Sequence, residues 1–113
     1  MFALVLWNRY MLTKKAIIEW IPKEAGGRTK PPLGVGEPPY ATVVRFPHSG
    51  EPWPPPVAWS LVVHRIEVLV EPFKWIAEVH FLFDEAPHHM LTDGADFELF
   101  EGNKCVARGQ VIG

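Results

Sequence analysis

Residues 26–30 place a pair of glycines beside two cationic side chains, in the order Gly26-Gly27-Arg28-Thr29-Lys30. Adjacent glycines allow consecutive backbone N–H groups to converge on one point, which is the basis of an anion-binding nest. Arg28 adds a planar guanidinium that matches two phosphate oxygens, and Lys30 adds a point charge. This loop is therefore a candidate anion site. The alternative is that the glycines only turn the chain and that Arg28 pairs with Glu24 or a surface carboxylate.

A second candidate surface is the proline-rich segment 47–56, where Trp53 stands next to Pro52 and Pro54. Such a chain is stiff and extended, so it can present an aromatic anchor to a partner at a small cost in entropy. The alternative is that Trp53 folds back onto one end of the fold while Trp59 packs inside.

The histidines do not have the spacing of a metal site. His88 and His89 are adjacent, so on a strand their side chains would point to opposite faces. The other three histidines are scattered, and no Cys-x-x-Cys or His-Glu-x-x-His motif occurs. The sequence predicts neither a metal site nor a cofactor.

The sequence also lacks a recognisable catalytic nucleophile. No Gly-x-Ser-x-Gly motif is present, and Cys105 lies in a segment with strand pattern, where a small buried hydrophobic residue is the usual role. The acidic run of Asp93, Asp96, Glu98 and Glu101 is typical of a solvated face rather than of an acid/base pair. We therefore expect a protein that is not an enzyme.

Side chains alternate between apolar and polar along most of the chain, which is the pattern of half-buried strands. Between residues 78 and 84, Val79, Phe81 and Phe83 share one face. The pattern predicts six strands and allows one more at the N-terminus. The six segments are 16–21, 40–46, 58–69, 78–84, 96–99 and 104–112.

The connections between these segments are rich in glycine and proline. Long loops are expected over 25–39, 47–56 and 85–94, and the short Glu101-Gly102-Asn103 segment is expected to form a hairpin turn. Twelve prolines and nine glycines in 113 residues make a helical bundle improbable. Many short strands in so small a chain favour a sandwich or a closed barrel, since closure removes sheet edges.

The amino-acid composition limits the classes of function that this protein can have. The formal net charge is −2, without the excess of Lys and Arg of a general nucleic-acid coat, although residues 1–50 carry +4 and residues 51–113 carry −6. A single cysteine favours a reducing compartment, and we expect a cytoplasmic protein. The apolar run Phe2–Trp7 is too short to span a membrane, so residues 1–13 are interpreted as an extension or extra strand before one domain over residues 14–113.

Two segments resemble a known family. Ile17–Pro31, followed by Gly36–Tyr40, is similar to the first strand and loop of the C-terminal domain of elongation factor Tu, which carries Glu-Glu-Gly-Gly-Arg-His-Thr-Pro and then Tyr-Arg-Pro-Gln. Thr92–Val111 is similar to the closing hairpin of that domain, with Asp-Gly, Phe, Glu-Gly and a Val-Gly-x-Gly-x-Val stretch. The resemblance implies an all-β, six-stranded antiparallel Greek-key barrel. The resemblance covers residues 14–112, with the matching segments in the same order as in the family. The sequence match is weak over residues 47–75.

The resemblance also implies a place for RNA. In the family this loop and hairpin lie near the T-stem of aminoacyl-tRNA, and the role would fall by position to Arg28, Thr29, Lys30 and Gly102. Thr29 and Lys30 stand where the family motif has His and Thr. No phosphate-binding Gly-x-x-x-x-Gly-Lys-Ser/Thr loop is present, so no nucleotide is expected.

Two functions remain open. The favoured one is a module that docks on another protein through its barrel loops, in part because the overall charge is acidic; the other is an RNA-binding or translation-associated module that contacts tRNA-like phosphates. An oligomer is compatible with either, and no membrane partner is expected.

Overall fold

The computed structural model describes residues 12–32, 39–50, 52, 55, 57–70 and 73–113. This part of the chain contains six β-strands and two short 3-10 helices. The strands are β1 Lys14–Trp20, β2 Tyr40–Arg45, β3 Ser60–Val70, β4 Lys74–Phe81, β5 Asp96–Glu101 and β6 Lys104–Val111. The helices are η1 Lys23–Ala25 and η2 His88–Met90.

The six strands close into an antiparallel barrel with the order β1-β4-β3-β2-β5-β6. Strands β2, β3 and β4 follow one another as neighbours, and β1 lies beside β4, which is the Greek-key arrangement. Closure leaves each strand with a neighbour on both sides. The predicted all-β fold class, a six-stranded Greek-key barrel, is confirmed.

The bounds of β4 differ most from the prediction, and those of the other strands differ by one or two residues. Strand β4 begins at Lys74 rather than residue 78, and it ends at Phe81 rather than Asp84. The chain leaves the sheet at Leu82, whose N–H donates to Ser60 O at 2.9 Å, and the N–H of Ala86 then donates to Phe83 O at 3.2 Å. Because this turn interrupts the alternation, Phe83 lies on the surface instead of continuing the inward face of Val79 and Phe81.

The barrel interior is filled by the inward-facing side chains of all six strands. Phe81 and Phe97 are the largest fully buried side chains, and a Cβ at Gly109 would lie 2.2 Å from the ring of Phe97. Position 109 therefore has room only for glycine beside that ring. The core comprises Ala16, Ile18, Trp20, Val44, Leu61, Val63, Trp75, Ala77, Val79, Phe81, Ala86, Leu91, Phe97, Leu99, Val106, Ala107 and Val111.

The barrel has two ends, which we name after a residue at each. The Arg28 end consists of residues 20–32, Tyr40, Trp75 and the β5–β6 turn at residues 102–103. The Phe83 end consists of residues 46–50, 57–59 and 82–95. Within the residues that the structure describes, no helix has the length and apolar character needed to cross a bilayer.

Candidate binding surfaces at the two ends of the barrel

The loop that follows β1 is folded back on itself by backbone hydrogen bonds. Gly26 has φ of 93°, a left-handed conformation that glycine adopts without a Cβ penalty, and its N–H donates to Lys23 O at 3.0 Å. The N–H of Gly27 donates to Pro22 O, also at 3.0 Å. The two amides expected to converge on an anion are thus bonded within the loop, so anion binding here stays a prediction that depends on the side chains of Arg28, Thr29 and Lys30.

Gly27 is required for a close approach of two backbone segments. A Cβ at this position would lie 1.7 Å from the carbonyl oxygen of Ile21. The contact brings Pro22 alongside Arg28 in an isolated parallel bridge. The tight packing fixes the direction in which the Arg28 side chain leaves the loop.

Arg28 reaches the closing hairpin. Its Nη1 donates to Oε2 of Glu101 at the end of β5, and its Nε donates to Lys30 O at 3.0 Å. The guanidinium carbon also lies 5.4 Å from the ring centroid of Tyr40, within the range of a cation–π contact. The carboxylate that binds Arg28 is therefore Glu101, not Glu24.

Tyr40 completes this cluster at the start of β2. Its hydroxyl donates to the same Oε2 of Glu101 that accepts from Arg28. Burial acts to raise the pKa of Glu101, but hydrogen bonds from Tyr40 and Arg28 and the charges of Arg28 and Lys104 outweigh burial and lower the pKa below its ordinary value. Burial, and then the hydrogen bond to Glu101, raise the pKa of Tyr40 to about 12. The cluster is thus most stable with an ionised Glu101 and a neutral Tyr40.

A row of aromatic rings continues from this cluster across the barrel end. Trp20 packs edge-on against Tyr40 with centroids 5.4 Å apart, and against Trp75 with centroids 5.0 Å apart. The guanidinium of Arg65 lies 5.6 Å from the Trp75 centroid. Two arginines therefore flank three aromatic side chains that pack edge to face, and this row closes the barrel at the Arg28 end.

The other predicted site residues have less contact with the cluster. Thr29 and Lys30 are exposed beside Arg28, and Gly102 follows Glu101 in the hairpin turn with φ of 62°. The structure thus brings Arg28 and Gly102 to the same end of the barrel, as the resemblance implies. Trp53 lies outside the described residues.

Two members of the cluster were missed at the sequence level. The sequence pattern places Glu101 in a solvated acidic run, and it indicates Tyr40 as the start of a strand and the end of the Gly36–Tyr40 segment of the resemblance, not as a partner of Arg28. Arg28 and Glu101 are 73 positions apart, so no local pattern indicates their contact. The only available signal was the resemblance, which places the loop and the hairpin near each other.

The Phe83 end presents apolar side chains to solvent. Val57 is 55% exposed, Leu82 is 46% exposed and Phe83 is 54% exposed. Val57 also lines a small pocket with Trp59, Met90, Pro52 and Pro55. Leu82 and Phe83 are consecutive exposed apolar side chains, which makes this turn a candidate docking surface.

Backbone and ring contacts hold the turn that carries Phe83. The His88 Nε2 lies 2.9 Å from Asp84 O, and the His88 ring packs edge-on against buried Phe81 with centroids 5.5 Å apart. Ala86, three residues after Phe83, is buried. The turn is therefore anchored on the side that faces the core and exposes its other side.

Acidic and basic side chains both lie at or beside the Phe83 end. Lys14 Nζ lies 2.8 Å from Asp93 Oδ1, and His48 Nε2 lies 3.5 Å from Asp96 Oδ2. Asp84 and Glu85 are exposed next to Phe83. Among the described residues no ion pair engages the carboxylates of Asp84 and Glu85.

The described residues contain no group of three or more His, Cys, Asp or Glu side chains placed to hold a metal ion. Cys105 is half-buried, and its Sγ lies 3.5 Å from Ala107 O. Burial, and then the charge of Glu98, raise the pKa of the Cys105 thiol. The protonated thiol is the less nucleophilic form.

No protein-family model matches the chain, and a search of curated proteins finds no match. The resemblance to the C-terminal domain of elongation factor Tu therefore rests on the quoted motifs, and the barrel topology is compatible with it.

Proposed function

We propose that the protein is a non-catalytic, cytoplasmic binding module that docks on another protein through the loops at its Phe83 end. The observation that carries the proposal is the exposure of Leu82 and Phe83 on an anchored turn, at 46% and 54%. Leaving a large apolar side chain in water forgoes roughly 1.5–3 kcal/mol of burial free energy. Phe83 is about half exposed, so a partner that covers it recovers about half of this free energy, without having to order the turn.

The arrangement at the opposite end supports the choice of this surface. Arg28, the cation expected to meet a phosphate, already donates to Glu101 and to the carbonyl of Lys30. Binding of an anion by Arg28 would compete with an internal carboxylate. The geometry therefore favours a structural role for Arg28 and a docking role for the Phe83 end.

We further propose that the barrel is related to the C-terminal domain of elongation factor Tu. The two motifs that carry the resemblance lie far apart in the chain, yet the loop and the hairpin contact each other through Arg28 and Glu101. The six-stranded Greek-key order is compatible with the relationship.

A capture experiment tests the docking function. Immobilised wild-type protein and a Phe83→Ser variant are incubated with lysate of the source cell, each with and without ribonuclease. We expect wild type to retain a protein that survives the nuclease and that the variant loses. Leu69→Ser is the matched control, because Leu69 is exposed in β3, away from the Phe83 end. Retention of the same proteins by the Phe83→Ser variant would refute docking through this end.

The RNA-binding function is kept as a second candidate because Lys23, Lys30 and Lys104 are exposed at the Arg28 end. It predicts that a small RNA is retained, that nuclease removes it, and that its affinity falls steeply with salt. An Arg28→Ala, Lys30→Ala double variant would lose the RNA while keeping any protein bound at the Phe83 end.

A further inference from the structure

We infer that the partner docked at the Phe83 end is a protein segment with apolar side chains flanked by Lys or Arg. This inference rests on the proposed function and adds the chemistry of the partner. The contact surface is the apolar turn, which we define as Leu82, Phe83, Asp84 and Glu85. It combines two exposed apolar side chains with two exposed carboxylates in consecutive positions.

The apolar half of this surface is held in place before binding. The N–H of Leu82 bonds to Ser60 O at 2.9 Å, and the N–H of Ala86 bonds to Phe83 O at 3.2 Å. His88 lies against Asp84 O at 2.9 Å. These contacts fix the backbone on both sides of Phe83. A partner therefore gains the free energy of burying the ring without the entropic cost of ordering the loop that carries it.

The acidic half of the surface selects the charge of the partner. In this part of the barrel Lys14 pairs with Asp93, and His48 Nε2 lies 3.5 Å from Asp96 Oδ2. Asp84 and Glu85 have no such counterion among the described residues, and covering the turn with an uncharged or acidic segment would leave them desolvated and unpaired. Flanking Lys or Arg side chains on the partner supply the missing counterions and speed association.

The same charges disfavour other occupants of this surface. Nucleic acid and anionic membranes would bring phosphates towards Asp84 and Glu85, which is repulsive. A second copy of the chain would need to offer a basic apolar segment to the turn. These occupants are therefore outcomes of the test rather than parts of the inference.

Two synthetic peptides provide the probe. Both contain the same Leu-Phe-Leu centre, but one is flanked by lysines and the other by glutamates. Each is titrated into isotope-labelled protein, and the backbone amide shifts of residues 82–85 are followed by NMR. We expect the lysine peptide alone to shift these amides, and its affinity to fall about tenfold in Phe83→Ser. An Asp84→Asn, Glu85→Gln variant should weaken it about threefold, as should added salt.

Leu69→Ser is the control variant and should leave the lysine peptide unaffected, while Leu82→Ser provides a second disruption of the same surface. Thermal unfolding of each variant verifies that it is folded. Equal binding of the two peptides, or shifts that avoid residues 82–85, would overturn the inference. So would concentration-dependent shifts of these amides without peptide, because the occupant would then be a second copy. If cellular capture depends on Phe83 but the lysine peptide does not bind, the docking function stands and the inferred partner chemistry is wrong.

Discussion

The guanidinium of Arg28 donates to the carboxylate of Glu101, and this contact joins the first long loop of the chain to its closing hairpin. Tyr40 donates to the same oxygen, so the loop, the start of β2 and the end of β5 meet at one atom. Both members of the ion pair are about two-thirds buried, with side-chain exposures of 29% and 32%. The contact is therefore better shielded from solvent than an ordinary surface ion pair. Removing one partner leaves the remaining partly buried groups with an unsatisfied hydrogen bond.

Glu101→Gln is expected to lower the free energy of unfolding by about 1–2 kcal/mol, because the charge that accepts both hydrogen bonds is lost while the shape is kept. Urea denaturation measures the change. A double-mutant cycle with Arg28→Ala should give a coupling free energy of at least about 0.5 kcal/mol. Lys23→Ala is the control: Lys23 is exposed in the same loop, so its loss should change stability by less than about 0.5 kcal/mol. Additive effects of the Arg28 and Glu101 substitutions would contradict the contact.

The stability gained from Glu101 should disappear in acid. Its pKa is lower in the folded protein than its ordinary value, so the ionised form favours folding. The contribution is complete above the ordinary carboxyl pKa and is lost as the pH falls through the folded pKa. We expect the difference in unfolding free energy between wild type and Glu101→Gln to be constant near neutral pH and to shrink as the pH falls below the ordinary carboxyl pKa. A difference that grows on acidification would show that folding raises the pKa of Glu101 instead of lowering it.

Tyr40 should lose its proton at a higher pH than an ordinary tyrosine. The chain contains two tyrosines, so a Tyr10→Phe variant leaves Tyr40 as the only one. Ultraviolet titration of tyrosinate is expected to give a midpoint near 12, and the hydroxyl's contribution to stability should be complete below its ordinary pKa of 10.0 and lost as the pH rises through about 12. Adding Glu101→Gln should lower the midpoint, since it removes the carboxylate charge that disfavours the tyrosinate. A midpoint at the ordinary value in the Tyr10→Phe protein would rule out the buried hydrogen bond.

The sequence predicts the strands better than it predicts the site. Alternation and glycine/proline breakers locate all six strands, because each strand buries one face against the core. Alternation fails at Phe83, where a hydrogen-bonded turn replaces the strand while the apolar pattern continues. It also fails at Glu101, which looks like one more solvated carboxylate until closure of the barrel brings Arg28 to it. Contacts between distant segments depend on how the sheet closes, and no local pattern contains that information.

Gly26 and Gly27 should respond differently to alanine. At Gly26 a Cβ would meet open space, and the cost is that of a positive φ, roughly 1–2 kcal/mol. At Gly27 a Cβ would lie 1.7 Å from the Ile21 carbonyl oxygen, so the backbone must move and break the approach of the loop to β1. We expect Gly27→Ala to cost at least twice as much as Gly26→Ala in urea denaturation. Equal costs would mean that the loop does not pack against Ile21 in solution.

A row of alternating charges crosses the outside of five strands. Register pairs Lys74 with Glu19, Glu19 with Arg108, Arg108 with Glu98, and Glu98 with Arg45, from β4 through β1, β6 and β5 to β2. The terminal pairs have N–O distances of 3.9 Å and 3.2 Å. Each opposite-charge neighbour contributes roughly 0.2–1 kcal/mol, and like charges in these positions are destabilising. A one-residue slip of any strand would break the row, so the charges also help to specify the register.

Arg108 is the residue of this row whose substitution should change stability most, because it lies between the carboxylates of Glu19 and Glu98. Arg108→Glu would place three carboxylates in succession and should cost about 1–2 kcal/mol, whereas Arg108→Gln only removes the attraction and should cost about half as much or less. Urea denaturation at low and high salt measures both changes. The gap between the two variants should narrow as salt screens the exposed charges. If Arg108→Glu and Arg108→Gln were equally stable at low salt, the alternating row would have no energetic role, and the register would depend on the core alone.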